Sequence, residues 1–207
     1  MSGAANRSRW LQLRAESQAA RRGRDLLDEK REALVREIAR RLTRREDAWR
    51  RAAASLAEAR AALRDARTEV GRPALESAAL GRAAQSPAGW RETSVFGIPV
   101  PALVSQPSPW RPAWGPGGSA AALDRAGAAF GKALPSVIEL AQEELAVRAL
   151  ERGLAKTSHR INALERIILP GLAREIREVS SAIEEEERDE AFRRRRWLGA
   201  RGERRRF

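Results

Sequence analysis

Few residues of this 207-residue chain have the types and spacing that chemistry needs. His159 is the single histidine and cysteine is absent, which excludes multi-histidine and thiolate metal sites as well as disulfides. The only glycine–lysine pair, Gly131-Lys132 within AAFGKALPS, lacks the preceding glycine spacing of a phosphate-binding loop. No catalytic residues, no metal ligands and no cofactor are therefore expected. The abundant chemistry is that of arginine. Lys30, Lys132 and Lys156 are the only lysines among 40 basic residues, and the net charge is +12. A guanidinium is always charged and donates in a fork that matches carboxylates and phosphates. Such an excess asks for an acidic partner or a nucleic acid, unless a coding bias toward arginine and alanine accounts for the ratio.

Something long must carry those charges. Hydrophobic residues make up 43% of the chain but lean on alanine, aromatics are only 5%, and tyrosine is absent. A large globular core is hard to build from this, whereas paired helices each bury only one stripe. Residues 8–70 contain no proline and one internal glycine, Gly23, and read as a continuous N-terminal helix. Some 60 helical residues span roughly 90 Å and need a partner along their length. Trp49, Ala52, Leu56, Ala59, Leu63, Ala66 and Val70 recur at spacings of three and four, the pattern of a coiled-coil seam. Val35, Ile38 and Leu42 keep that phase upstream, Asp28, Arg31 and Arg45 interrupt it, and Leu27 and Leu34 fall one position off.

Residues 120–198 are helical again. Ile161, Leu164 and Ile168 set one phase, and Leu172, Ile176, Val179 and Ile183 continue it shifted by one residue. The shift sits at Pro170-Gly171, which predicts a bend or skip near Pro170 with helix on both sides. Residues 71–119 between the helices are rich in proline and glycine, and Thr93–Val104 alternates enough for a strand or a β-hairpin arm. Pro99 and Pro101 confine such a strand to an edge or to its ends. Trp90, Phe96, Trp110 and Trp114 in this charge-poor stretch form either the core of a minidomain or, the favoured reading, a docking patch. Residues 199–207 are a basic tail, either solvated or a ligand for acidic surfaces. The predicted fold class is mainly all-α: a long antiparallel two-helix coiled-coil hairpin with a small irregular or β-hairpin central segment. Both termini lie at one end of such a hairpin and the central segment at the other. No run approaches the roughly 20 apolar residues of a membrane helix, and MSGAANRSRW at the N-terminus lacks a signal-peptide apolar region. A soluble cytoplasmic chain is expected.

Residues 11–38 resemble the opening of the D subunit of vacuolar/archaeal-type rotary ATPases: a leucine-rich start with Leu11 and Leu13, then Gly23, Leu26, Leu27, Lys30, Arg31 and Leu34. Residues 156–196 resemble its second signature through Lys156, Thr157, Arg160, Ile161, Asn162, Ala163, Leu164, Glu165, Pro170, Glu187 and Phe192. GIPVP, Gly97–Pro101, is similar to the family's central segment. The resemblance covers nearly the whole chain. It implies a non-catalytic central rotor shaft that couples ATP hydrolysis or synthesis to ion translocation. The implied partners are the hexameric ring of catalytic and regulatory head subunits, the small stalk F subunit and the membrane-ring adaptor subunit. Phe96, Gly97, Pro99, Trp110 and Trp114 become the expected docking residues, on a protein peripheral to the inner face of the cell membrane.

Some residues keep two readings. Asn162 either sets helix register, as buried asparagines do, or serves an interface. Gly23 either permits close helix approach or is merely tolerated. His159 on a charged helix reads as a solvent or interface residue. The rivals to a shaft are a basic coiled coil that binds nucleic acid, supported by the net charge, and a scaffold hairpin. Against nucleic acid, acids are interleaved along both helices and no aromatic platform accompanies the basic tail.

Overall fold

The computed structural model describes residues 2–80, 88–105 and 120–203. Helix α1 (Ser2–Leu80) is broken once, at Gly71, whose φ of 76° and ψ of 167° are non-helical. Only glycine adopts that conformation cheaply, and Pro73 opens the helical turn that resumes after it. Strands β1 (Ala88–Val95) and β2 (Ile98–Ser105) form an antiparallel hairpin. Helix α2 (Ala120–Ala163) runs into a five-residue π-helical turn (Leu164–Ile168), followed directly by α3 (Leu169–Glu203). Among the described residues the fold is thus all-α apart from one small hairpin. The chain divides into two compact units, Glu32–Ala155 and the pair Met1–Arg31 with Lys156–Phe207.

In the unit of residues 32–155, α1 and α2 lie antiparallel. Arg41 reaches Glu143, Arg51 reaches Glu139 and Arg125 reaches Glu69, so positions rise on one helix as they fall on the other. The seam between them is built from small residues. Ala48, Ala52, Ala59 and Ala66 of α1 are buried, as are Ala122, Ala126, Ala133 and Ala146 of α2. Close approach is measured by Ser55 and Ser136, whose short side chains meet with 3.0 Å between their Oγ atoms. Interaxial distance follows the size of the side chains at the contact, so an alanine seam draws the backbones together. Leu34 is fully buried, while Trp49 is 56% exposed and Val35 and Leu42 are exposed. The seam column therefore runs Leu34, Arg41, Ala48, Ser55 and Ala62 beside Ala52, Ala59 and Ala66. It is one position from the line of large residues Trp49, Leu56, Leu63 and Val70, of which the last three are half-buried flanks. Both lines have heptad spacing; only the small one fits between closely packed helices. Arg45, which interrupts the pattern of large residues, is half-buried beside the seam.

Arg41 is a charged member of this seam column. Its Nη1 donates to both carboxylate oxygens of Glu143, at 3.2 and 3.1 Å, and its Nε donates to Oε1 of Glu37 at 3.1 Å. The three side chains are at most 17% exposed. Burial alone lowers the guanidinium pKa, but hydrogen bonds and charge from Glu143 and Glu37 outweigh it and leave the pKa above its ordinary value.

The hairpin lies back along this helix pair. Val100 is buried with Leu34, Ala146, Ala149 and Leu150, and Val95, Ile98, Ile38 and Leu154 pack around them. Leu34 is some 37 residues from Gly71, or roughly 55 Å along the helix. The hairpin therefore packs well back along the helices from the break at Gly71 and does not cap that end. Apolar residues of the hairpin's inner face need cover, and the small side chains of α2 leave room for them. Gly153 shows how tight the fit is: a Cβ there would stand 2.1 Å from Cδ1 of Ile98. Phe96 and Gly97 form the two-residue turn, both with positive φ, 51° and 73°, as a type I′ turn requires. Pairing starts from the closing pair Val95–Ile98, and hydrogen-bonded pairs alternate with open ones from there. Pro99 and Pro101, opposite Ser94 and Glu92, thus occupy positions whose missing N–H removes no ladder bond. Near the helix break, Ala62, Val70, Leu75 and Ala78 pack on the buried Ala66, Ala122, Leu123 and Ala126.

In the other unit, residues 2–31 of α1 pair antiparallel with the end of α2 and with α3. Arg9 donates to Glu175 at 3.2 Å, Arg24 to Glu165 at 3.2 Å, and Arg7 to Glu187. Leu13, Thr157 and Ile161 are buried. Within the π turn, the N–H of Leu169 bonds to O of Leu164, five residues back. One extra residue is thereby accommodated. Leu169, half-buried, takes the seam place that follows Leu164, and Ile168 is 43% exposed. Leu172, Ile176, Val179 and Ile183 then continue half-buried at seam spacing. The one-residue phase shift is this bulge.

Three stability outcomes follow from these contacts. Gly153→Ala lowers stability by about 1–3 kcal/mol through overpacking, despite the better helix propensity of alanine. Thermal denaturation followed by circular dichroism measures this, and in an Ile98→Ala background the added cost of Gly153→Ala largely disappears. Ala59→Leu costs about 1–3 kcal/mol, whereas Trp49→Gln changes stability by less than about 0.5 kcal/mol; equal effects in a urea titration would contradict the observed seam. Glu143→Ala costs about 2 kcal/mol by stranding Arg41, and the loss persists at roughly 1 M salt. Glu139→Ala, whose pair with Arg51 is half exposed, costs under about 1 kcal/mol, and the effect vanishes in salt.

Candidate interaction surfaces

Seven residues are nearly two helical turns, so side chains seven apart line one face with a slow drift. On α1 this places Val35, Leu42 and Trp49 in one row, continued by the half-buried Leu56, Leu63 and Val70. Because the seam took the small residues, this row of large ones faces outward along its upper half. Basic residues accompany it. Arg36 pairs with Glu32 and Arg50 with Glu46, at 3.5 and 3.3 Å. Arg44 makes no ion pair among the described residues. The surface is apolar with a charged rim, the composition of an interaction site rather than of an active site. Among the described residues, no cluster of three or more histidines or acids has the geometry to hold a metal ion.

The hairpin offers a second surface in the same unit. Side chains alternate between its faces, and the face opposite Val95, Ile98 and Val100 carries Trp90, Glu92, Ser94, Pro99, Pro101 and Leu103. Trp90 is 72% exposed and Phe96, at the turn, is exposed. The expected docking residues thus divide. Phe96 and Gly97 form the turn and Pro99 is exposed on β2, while Trp110 and Trp114 lie outside the described residues.

The signature residues of the other unit take varied places. Gly23 is half-buried, but nothing lies within 4 Å of a Cβ built there, so close helix approach is not its role. Leu26 is exposed, Leu27 and Lys30 are half-buried or at the rim, and Arg31 pairs with Asp28 at 2.8 Å. Thr157 is buried between the exposed Lys156 and the half-buried Ser158. Asn162, His159 and Arg160 are exposed, which places Asn162 outside the seam and leaves it the interface reading. Ala163 and Leu164 are half-buried, Glu165 accepts from Arg24, and Pro170 is exposed in the first turn of α3. Sequence reasoning missed Ile167, which is 70% exposed beside Ile168. It also missed Gly153 and the Arg41 triad. The one-residue phase shift was the available signal for the first; nothing in the spacing of residues marks the other two.

Residues 10–198 match the family model for the D subunit of ATP synthase. The V-type ATP synthase D subunit of Anaeromyxobacter dehalogenans strain 2CP-C is 32% identical over 204 residues, 94% of each chain. That of Thermus thermophilus is 31% identical over 193 residues, covering 93% of this chain and 86% of the relative. The A-type ATP synthase D subunit of Methanopyrus kandleri is 30% identical over 185 residues, 88% of this chain and 80% of the relative. With the paired helices and the central hairpin on one side and these relatives on the other, the chain belongs to the D-subunit family of V/A-type ATP synthases.

Proposed function

We propose that this chain is the non-catalytic central rotor shaft of a V/A-type ATPase or ATP synthase, transmitting torque between the nucleotide-hydrolysing head and the ion-translocating membrane ring. The observation that carries the reading is the antiparallel helix pairing of unlike arms along an alanine seam, with a charged outer surface. Close packing gives stiffness. Two unlike helices and an added residue in one of them give asymmetry, so three chemically identical ring interfaces meet different surfaces and are biased toward different nucleotide states. Exposed ion pairs are individually weak, which lets contacts with a bearing exchange at each step. The outer hairpin face with Phe96, Gly97 and Pro99, and the α1 row with Trp49, are the surfaces for the small stalk F subunit and the membrane-ring adaptor. No helix among the described residues is long and apolar enough to cross a membrane. A cytoplasmic place on the inner membrane face follows from the proposed assembly. Against a nucleic-acid reading, Arg7, Arg9, Arg24, Arg41 and Arg51 donate to acids of the partner helix, so these five arginines do not form a free basic strip.

The test is purification of the tagged chain from its native host, with native mass spectrometry. One copy with a nucleotide-binding hexamer and a small subunit supports the shaft; recovery alone or with nucleic acid refutes it. Reversing the charge of Arg40, Arg44 and Arg50 together lowers coupled hydrolysis by the reconstituted complex, and unchanged coupling would remove these arginines from the bearing.

A further inference from the structure

The π turn has no necessity in the seam it interrupts. Thr157, Ile161 and Leu164 follow heptad spacing, and so do Leu169, Leu172, Ile176, Val179 and Ile183; only the step from Leu164 to Leu169 is one residue too long. Removing one residue from the turn would join the two runs into an unbroken heptad pattern. Nor does Pro170 require the bulge by itself, since Pro135 lies inside α2 with no π turn beside it. Single π turns are rare and gather at functional sites. What this one changes is the surface. It takes Ile168 out of the seam to 43% exposure and leaves Ile167 70% exposed. The basic residues next to them on the helix, Arg160, Arg166 and Arg174, are exposed and make no ion pair among the described residues. Glu165, the acid in the turn, is already held by Arg24.

We propose that the surplus residue of the π turn serves to present Ile167 and Ile168 as an apolar contact, rimmed by Arg160, Arg166 and Arg174, to a socket edged with carboxylates on the inner surface of the head ring. The inference rests on the rotor reading and adds the place and chemistry of one contact. Apolar area supplies the binding, and the unpaired arginines choose an acidic rim over a basic one.

The experiment measures binding of the full-length chain to the head ring reconstituted from catalytic and regulatory subunits of the same source, alongside the melting of each chain alone. Ile167→Ser/Ile168→Ser lowers Tm by no more than about 3 °C, because both side chains are exposed, yet raises Kd at least tenfold. A chain lacking Ile168 keeps wild-type helicity and Tm, because its heptads are continuous, and also binds at least tenfold more weakly. Wild-type affinity in both variants overturns the proposal while leaving the rotor reading in place. Loss of helicity in the shortened chain overturns it too, by showing that the bulge serves the fold. A wild-type chain that fails to bind the ring sinks the rotor reading itself.

Discussion

The distance between two helices governs the rest of this molecule. In the unit of residues 32–155, α1 and α2 meet through alanine and serine, with Ser55 and Ser136 close enough to share a hydrogen bond. Each alanine buries little area, so no single contact contributes much; the pairing holds because the contacts repeat. The same closeness expels larger side chains. Trp49, Leu42 and Val35 stand outside the seam because there is no room within it, and that expulsion supplies an apolar row for partners. It also makes a shallow groove beside Ala146, Ala149 and Gly153, where the hairpin sets Ile98.

The hairpin depends on that groove for its stability. A lone two-stranded hairpin is marginal in water, and this one adds a strained residue, Phe96, with positive φ. It gains cover for one face from the helices. Pro99 and Pro101 sit where they cost no ladder bond and deny an incoming strand its donors. The same two prolines therefore keep β2 compatible with the hairpin and protect its free edge.

Electrostatics act mainly on pairing direction. Arginines of α1 donate to acids of the C-terminal arm at most of the cross-helix pairs, and these pairs match only in the antiparallel register. Most of these pairs are exposed and individually weak. Arg41 differs because Glu143 and Glu37 enclose it away from water, where a mismatch is costly. Its place in the seam, among alanines, makes it a marker of register as well as a contact.

Composition and spacing alone determined that the chain is helical at both ends, that a strand-forming segment separates the helices, and that the seam shifts phase near Pro170. These are local properties: propensity, periodicity and the lack of a proline N–H all act within a few residues. The two signatures carried the family in the same way, because they are strings. Which side of the Ala52–Ala59–Ala66 column faces the partner was decided only in three dimensions. The large line through Trp49 and the small line through Ala48 have the same period, and periodicity cannot say which one a neighbouring helix can approach. Leu34 and Leu27 looked out of phase for that reason. The docking of Ile98 over Gly153 joins residues 55 positions apart, and the burial of Arg41 depends on Glu143, so neither is written in any local pattern. The helices were legible because each residue contributes to its own helix; the surfaces were not, because exposure is a property of what packs alongside.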